Sequence, residues 1–570
     1  MKKFLFPAVM SLGLLTLLLL NFFKEQTVGG TLAERPADAP PEVVAELVAS
    51  GGRYRLWLAH RNTQSLSELE KGPAERLAER IKQLAGHKPE APEVWVTGVV
   101  RGGTIRLSND QRAVVEKRLP VQPDPDPTVD SSFKWELRRL SNDEPPAISG
   151  AWTEFRGAER DNVSRDPTPL ARGWPEGSRP PVLWNLEVGE GYAAPAVYQG
   201  RVFLLDYDPA RKGDLLRCLS LADGKELWQI FYPNPIRPNH GQSRSVPAVT
   251  DRYVVTVGPS AHVLCAEIKT GKIAWVKHMV MEYNTKIPDW WSAQSPILDR
   301  GRVILAPAGM PLSKSQQAKR DSKLPPPEQV LMCAVELASG RTIWKTPNTL
   351  NWKMSHVSIT PMTLQGRKTF VYSTVAGVCG VSADDGKLLW SSEDFTVPTA
   401  AAASPVEVGP GYLFVCGGYG AGSALLRIQP EGEGYKTECL YKLKSKEAGS
   451  EQQTPIFYRG NLYLMIPNGE LICMDPISGK RRWSSGMGKF GKTGYGPYLA
   501  TEQEFMYVME DGVLTLVELN PNEYKELWRG KVIEGPETWA PLVLVHGRLF
   551  VRNVKKLMAC LDVRQEPGKE

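Results

Sequence analysis

The sequence predicts an all-β fold: an eight-bladed β-propeller of four-stranded blades, closed by both ends of the chain. Three observations predict it: a recurring proline, a recurring tryptophan, and a blade divided between the two ends of the repeat region. An X-Pro pair precedes a strand-like run eight times, every 42 to 65 residues, and repeats of this length are typical of propeller blades. The pairs are Ala194-Pro195, Val246-Pro247, Ser295-Pro296, Thr360-Pro361, Ser404-Pro405, Thr454-Pro455, Gly496-Pro497 and Ala540-Pro541.

The tryptophan repeat marks the last strand of each blade. A Gly-Lys or Gly-Arg turn is followed by a tryptophan four residues after the glycine, which predicts a hairpin leading into an outer strand. Two full periods separate Trp390 from Trp483, so the position of the missing tryptophan falls near residues 440–441, in a degenerate repeat. Because one tryptophan recurs per blade, we interpret the set as packing residues. The set is Trp184, Trp228, Trp275, Trp344, Trp390, Trp483 and Trp528.

The divided blade is the third observation. Residues 541–563 supply three strands but no fourth, whereas residues 182–188, with Trp184, supply a fourth strand without its first three. Together they make one blade, and such closure removes the free sheet edges of the ring.

The cysteines are predicted to be small buried side chains and not a disulfide framework. Six of them fall late in a third strand: Cys218, Cys265, Cys333, Cys379, Cys473 and Cys560. Neighbouring sheets pack about 10 Å apart, whereas a disulfide needs Cα atoms within roughly 7 Å. Equivalent positions in adjacent blades are therefore not expected to form bridges.

The first residues have the pattern of a membrane anchor or a signal peptide. Lys2 and Lys3 precede an uncharged run of 20 residues, 4–23, which is long enough to span a bilayer. Because no small-x-small cleavage site follows, an uncleaved anchor is favoured over a cleaved signal. The lysines place the following domains on the extracytoplasmic, periplasmic side. If the segment is cleaved, the protein is secreted.

The remaining domain organisation follows from composition and periodicity. The predicted parts are an anchor or signal at 1–26, a linker at 27–40, a small α+β region of unknown function at 41–140 and the propeller at 150–565. Within the α+β region, residues 41–49 and 73–85 are expected to be helical, and residues 93–100 and 104–107 to form a hairpin. A surface loop is expected at residues 312–329.

Several kinds of chemistry are disfavoured by the sequence. The net charge is only +6 and no basic stripe alternates with aromatics, so nucleic acid is not an expected partner. The seven histidines show no metal-ligand spacing, and we predict neither a metal site nor catalytic residues. Residues 486–493 match the phosphate-loop pattern, but Gly494, Gly496 and Pro497 follow. Because that loop must open a helix, we predict that this segment only joins two blades.

The stronger candidates for a binding site are residues that lie just before the blade prolines. These residues begin the innermost strands and should ring one mouth of the central channel, where aromatics with scattered polar groups suit a binding pocket. Alternatively, several of them fill the channel or pack against loops. The candidates are Tyr192, Gln242, Arg244, Trp290, Trp291, Gln294, His356, Gln452, Tyr495 and Trp539, with Thr399, Gln453 and Glu537 in the same loops.

The Gly-Lys-x-x-Trp turns and X-Pro strands resemble the quinoprotein-type β-propeller family of PQQ-binding-like repeats. Residues 152–164, WTEFRGAERDNVS, also look like the lead-in of large bacterial extracytoplasmic members. The resemblance implies two functional classes. One holds PQQ and calcium at the channel mouth and oxidises alcohols; the other is non-catalytic and binds partner proteins.

The resemblance also implies how a PQQ site would look. In that class a disulfide between adjacent cysteines covers one face of PQQ and a tryptophan the other. This chain has no Cys-Cys pair, Trp291 offers one face only, and no calcium-binding set can be matched. We therefore expect a membrane-anchored extracytoplasmic scaffold that binds protein partners or a small ligand at the mouth. The alternative is a PQQ-dependent, alcohol dehydrogenase-like oxidoreductase.

Overall fold

The computed structural model describes residues 133–565, except 238, 320–325 and 433, and the backbone of six strands within residues 25–116. The chain divides into two compact units, Met1–Gln122 and Pro123–Glu570. Residues 1–24, most of the predicted anchor, lie outside the described residues. In the part of the chain that is described, no helix combines the length and the apolar character needed to cross a bilayer.

The strands of the first unit form one sheet. Their order is Glu25–Ala33, Val43–Ala49, Gly52–Leu58, Thr104–Leu107, Glu93–Arg101 and Val114–Glu116. A further pairing joins Glu25–Ala33 to Glu93–Arg101, so five strands form a closed ring of pairings. Gly52–Leu58 and Thr104–Leu107 run parallel.

This unit differs in two places from the sequence-based expectation. Val43–Ala49 is a strand where helical turns were expected, and its valines favour extended backbone. Glu25–Ala33 is a strand where the end of the anchor and a linker were expected. The predicted hairpin is present as Glu93–Arg101 and Thr104–Leu107, whereas the helix expected at residues 73–85 lies outside the described residues.

The second unit is the eight-bladed propeller, built of antiparallel sheets. Blade 1 consists of Ala196–Tyr198, Arg201–Asp208, Gly213–Ser220 and Glu226–Pro233. Blade 2 consists of Ala248–Val249, Tyr253–Val257, His262–Glu267 and Ile273–His278. Blade 3 consists of Ile297–Asp299, Arg302–Leu305, Val330–Glu336 and Thr342–Pro347. Blade 4 consists of Thr360–Leu364, Arg367–Ser373, Val378–Ser382 and Leu388–Ser392.

The remaining blades continue the pattern, and the hydrophobic core lies between neighbouring sheets. Blade 5 consists of Val406–Gly409, Tyr412–Gly417, Gly422–Glu431 and Gly434–Leu443. Blade 6 consists of Ile456–Tyr458, Asn461–Ile466, Glu470–Met474 and Arg481–Ser484. Blade 7 consists of Tyr498–Thr501, Phe505–Glu510, Val513–Glu518 and Glu526–Lys531. Blade 8 consists of Val543–Val545, Arg548–Arg552, Leu557–Asp562 and Val182–Glu187.

Blade 8 is the divided blade that the sequence predicts. Val182–Glu187 pairs antiparallel with Leu557–Asp562, and Trp184 lies opposite Cys560. The six cysteines named above all lie in third strands. All eight cysteines are free thiols. The prediction of a divided blade and the prediction that the six cysteines are unbridged side chains of third strands are therefore confirmed.

Further short elements join the blades. Glu136–Arg139 extends the outer edge of blade 1, and Ala151–Trp152 pairs with its first strand. Val163–Ser164 runs parallel to the first strand of blade 7. The propeller sheets thus include Glu136–Arg139 and begin earlier than residue 150, the predicted start of the propeller. Three short helices lie in connections, and the second occupies part of the expected surface loop: Met279–Tyr283, Lys314–Lys319 and Ser445–Ala448.

The glycine–tryptophan repeat joins a blade to the next wherever the following blade has a turn glycine. The Trp184 indole N–H donates to the Leu221 carbonyl at 3.1 Å, beside the turn of blade 1. A Cβ on Gly224 of that turn would lie 2.6 Å from the Trp184 ring. Gly340 in the same way lies against Trp275, with a hypothetical Cβ 2.7 Å from its ring. The outer tryptophan therefore packs onto the turn glycine of the following blade.

In blade 5, Tyr441 takes the place of the missing tryptophan. Its hydroxyl donates to the Pro476 carbonyl at 2.5 Å, and its ring lies against Gly479, the turn glycine of blade 6.

Candidate functional site

Residues 151–164 cross one end of the channel, where the first strands finish. Arg156 donates to the Pro455 carbonyl of blade 6 at 2.8 Å. Arg160 donates to the Leu298 carbonyl of blade 3 at 2.7 Å. The segment also pairs with the first strands of blades 1 and 7. It is therefore held to blades on opposite sides of the channel.

The residues that precede the prolines lie at the other end and contact one another. Tyr192 of blade 1 stacks on Trp539 of blade 8, with centroids 5.4 Å apart and planes 13° from parallel. Trp539 meets the edge of Tyr495 at 4.8 Å. The guanidinium of Arg244 lies 5.1 Å from the Tyr192 ring centroid. We call this end of the channel the mouth.

A second group of contacts continues around the mouth through blades 3 to 6. Trp290 lies 6.5 Å from Tyr419 and 6.4 Å from His356, measured between ring centroids. Glu451 accepts from the Tyr419 backbone N–H at 3.2 Å and from the Tyr495 hydroxyl at 3.4 Å. Side chains from all parts of the ring therefore meet in one continuous set of contacts.

Positive φ angles occur in these loops, as they do in hairpin turns elsewhere in the propeller. Five non-glycine residues of the mouth have a positive φ: His240 (50°), Trp290 (64°), Trp291 (71°), Tyr419 (56°) and Glu537 (54°). Such conformations cost roughly 1–3 kcal/mol each and persist only where surrounding contacts hold them. The contacts of the mouth therefore hold these loops in defined conformations.

Burial sets the charge states of the mouth. The Tyr192 hydroxyl donates to Glu537 at 2.6 Å, and burial together with this bond raises the pKa of Tyr192. Burial lowers the pKa of Arg244 to about 10, so the guanidinium stays charged at neutral pH. Burial, then the charge of Arg244, lowers the pKa of His356 to about 4, so its imidazole is neutral there.

The buried polar atoms of the mouth that have no hydrogen-bond partner within the described residues include the following four. Three are donors, namely Arg244 Nε, Trp291 Nε1 and Trp539 Nε1, and one is an acceptor, Gln242 Oε1. Burying an unpaired polar group is unfavourable. A ligand rich in acceptors would satisfy most of these groups.

Two of the predicted site residues do not join this set of contacts. Gln294 is 0% exposed, and its amide exchanges hydrogen bonds with the Ala306 backbone at 2.9 and 3.2 Å. Gln294 thus stabilises the backbone of blade 3, and a role in lining the mouth is not supported. Gln452 is half-buried in the loop before blade 6. Its neighbour Gln453 donates to the carbonyls of Tyr495 and Trp539 and links three blades.

Sequence reasoning missed Tyr419 and Glu451. Tyr419 lies in the turn between the second and third strands of blade 5, and that turn also faces the mouth. An aromatic residue enclosed by glycines, as in Gly417-Gly418-Tyr419-Gly420, was the available signal. Glu451 follows a short helix outside the repeat pattern, and no periodicity marks it.

The mouth does not fit PQQ with calcium. Its acids are already bonded: Glu537 to a tyrosine hydroxyl, and Glu451 to a backbone N–H and a hydroxyl. Across the described residues, no group of three histidine, cysteine or acidic side chains could hold a metal ion. No two cysteines are adjacent in the sequence, so the expected cover for one quinone face is lacking.

The phosphate-loop match has no helix behind it. Residues 486–493 form turns between the outer strand of blade 6 and the first strand of blade 7. Phe490 is buried there, and Lys489 pairs with Glu526 at 2.8 Å. The segment Gly422–Glu431 after the second glycine-rich stretch is likewise a strand. The structural context that phosphate binding needs is absent from these described segments.

Several solved structures match the chain at low sequence identity. BamB from Moraxella catarrhalis is 13% identical, with a TM-score of 0.43, and covers 67% of this chain and 100% of its own. Quinohemoprotein alcohol dehydrogenase ADHIIG from Pseudomonas putida HK5 is 14% identical, with a TM-score of 0.40, covering 75% and 85%. Quinohemoprotein alcohol dehydrogenase from Comamonas testosteroni is 14% identical, with a TM-score of 0.39, covering 74% and 82%.

A family profile gives the more direct relationship. No sequence among the curated proteins matches the chain. The profile described as "Outer membrane protein assembly factor BamB" (PQQ_2) matches residues 181–275, 211–485 and 327–566. These matches cover every blade and more than half of the residues, so the chain belongs to this family of PQQ-type propeller-repeat proteins.

Proposed function

We propose that this chain is a non-catalytic extracytoplasmic scaffold that binds a partner protein at the mouth. The observation that carries the proposal is the continuous ring of aromatic side chains with unpaired buried donors. Aromatic and arginine side chains are the usual anchors of protein interfaces. The name of the family, a protein assembly factor, also favours a protein partner.

Site-specific photo-crosslinking tests this proposal. Tyr419 is 44% exposed at the mouth, and Ile477 is 50% exposed in a turn at the opposite end. With p-benzoylphenylalanine at either position in intact cells, we expect one defined protein adduct at 419 and none at 477. Trp290→Ala should abolish the adduct at 419. Equal adducts at both positions, or no adduct at 419, would contradict binding at the mouth.

We further propose that residues 4–23 hold the protein in the membrane and place the propeller on the periplasmic side. The support is the uncharged run after Lys2 and Lys3 and the lack of a cleavage site. Mass spectrometry of the mature protein should find an intact N-terminal segment. A mature chain that starts near residue 27 or later would replace the anchor by a cleaved signal.

The quinoprotein alternative needs a direct test. The half-buried Trp291 at the mouth is the one feature that favours it. Purified protein mixed with PQQ and calcium is expected to show neither tight binding nor dye-linked alcohol oxidation. PQQ binding that Trp291→Ala abolishes would replace the scaffold proposal with the enzyme.

A further inference from the structure

We infer that the mouth recognises an acidic side chain within an extended peptide segment of its partner, with Arg244 binding the carboxylate. The neighbouring apolar residues of the segment would lie against Tyr192 and Trp539. This inference rests on the proposed function and names the chemistry of the partner.

Arg244 is the first reason. Its guanidinium donates only to backbone carbonyls of its own loop, those of Asn239 (3.2 Å), His240 and Gly241 (3.4 Å). Its buried Nε has no partner, and none of its contacts within the described chain is an ion pair with a carboxylate. Arg244 is half-buried, and a partly desolvated charge that lacks an ion pair is stabilised when a ligand carboxylate supplies one. The planar guanidinium matches a carboxylate in geometry as well as in charge.

The unpaired groups around Arg244 are the second reason. Trp291 and Trp539 each have a buried indole N–H without an acceptor, and Gln242, only 3% exposed, has an amide oxygen without a donor. A peptide segment supplies carbonyl acceptors for the indoles and an N–H for the amide oxygen. A purely anionic ligand would satisfy the three donors but would leave Gln242 Oε1 unpaired.

The surrounding acids limit how much negative charge the ligand can carry. Glu190 accepts from the Gly241 backbone at 3.0 Å, Glu537 bonds Tyr192 and Glu451 bonds Tyr419. These carboxylates at the mouth would repel a phosphate or a polyanion more strongly than a single carboxylate. A peptide with one acidic residue among neutral or basic neighbours is complementary to this pattern. The charges therefore favour a peptide over a nucleotide or a lipid phosphate.

Peptide display tests the inference because the selection needs only the purified protein and not its partner. A random twelve-residue peptide library is selected on the full-length wild-type protein and, in parallel, on Arg244→Gln. Arg252→Gln is the matched control, because Arg252 also lies over a tyrosine ring (5.0 Å) in blade 2 but at the opposite end. We expect one conserved Asp or Glu in peptides selected on the wild type and on Arg252→Gln. That preference should disappear on Arg244→Gln.

A second measurement does not depend on the folding of any variant. Synthetic copies of a selected peptide, with Asp or with Asn at the conserved position, are titrated into the wild-type protein. Loss of a charge-assisted pair should weaken binding by about tenfold or more for the Asn peptide. Equal affinities, or an acidic preference that survives in Arg244→Gln, would overturn the inference and leave protein binding at the mouth intact. No enriched peptide in any selection would count against both.

Discussion

At the scale of single residues, each turn glycine before an outer strand has two functions. It adopts a positive φ, 74° at Gly386, which side chains disfavour. It also leaves room for the aromatic ring of the preceding blade, since a Cβ on Gly386 would lie 2.5 Å from Trp344. The same position thus shapes one blade and receives the next.

Gly386→Ala should separate these two functions when compared with Gly460→Ala. Gly460 also has a positive φ, 79°, but nothing lies within 4 Å of its hypothetical Cβ. We expect Gly460→Ala to lower the free energy of unfolding by about 1–2 kcal/mol, because alanine disfavours this backbone conformation. Gly386→Ala should cost about 1–3 kcal/mol more, because Trp344 must move. Chemical denaturation of both variants measures the difference, and equal losses would contradict the packing role.

A second residue-scale feature is the buried acid between blades 1 and 2. Asp214 is 0% exposed. Its Oδ2 accepts from Asn234 at 2.9 Å, while its Oδ1 has no partner. Burial raises the pKa of Asp214 to about 7. The neighbouring His262 has its pKa lowered to about 3, mainly by burial, so it supplies no positive charge at neutral pH.

Asp214→Asn should therefore change how stability depends on pH. An acid with a raised pKa in the folded state contributes stability that is complete below its unfolded value, near 4, and is lost as the pH rises to about 7. The stability of Asp214→Asn relative to the wild type should accordingly increase between pH 4 and 7 and then level off. Urea melts across this range measure it, with the exposed Asp251→Asn as control. A constant difference would show that Asp214 is not the titrating group.

At the scale of elements, the repeat motifs predicted the first and last strands of most blades, because a proline marks the first strand and a tryptophan the last. Pairings without a local signal could not be predicted. Glu136–Arg139 carries no repeat motif, and its strand forms only because the outer edge of blade 1 offers backbone partners. Likewise, Glu451 belongs to the mouth through a contact with Tyr419, and no pattern in the sequence connects them.

The segment between blades 6 and 7 provides an element-scale prediction. Lys492 is exposed, so Lys492→Ala should leave the stability of the fold unchanged. Because we expect no nucleotide site in this segment, the substitution should not change ATP binding either. Lys489→Ala is the matched comparison, because its amine pairs with Glu526 and lies 5.9 Å from the Tyr524 ring centroid. Lys489→Ala should lower the free energy of unfolding by up to about 1 kcal/mol. Calorimetric titration with ATP checks the claim, and ATP binding that requires Lys492 would reverse it.

At the scale of the whole molecule, two features hold the ring closed. Blade 8 joins strands from both ends of the repeat region, and residues 151–164 connect blades across the channel. Neither feature belongs to a single blade. Stability should therefore be a property of the complete ring and not a sum over independent blades.

Removal of residues 557–570 tests this cooperativity. The deletion takes away the third strand of blade 8 and leaves Val182–Glu187 without its partner. We expect the single unfolding transition of the ring to move to much lower temperature or to disappear, as calorimetry would show. Removal of 566–570 alone should leave the transition in place. A truncated protein that loses only blade 8 and melts otherwise unchanged would contradict the prediction.

The divided blade also imposes an order in time. The strand that carries Trp184 is synthesised long before its partner Leu557–Asp562. Until that partner follows, the early strand exposes an unpaired edge, which is the kind of surface that aggregates. Pairing between such distant segments is also slow. A chaperone that shields strand edges should consequently be needed until Leu557–Asp562 has been synthesised, and substitutions in Leu557–Asp562 should prolong that dependence more than substitutions in any other blade.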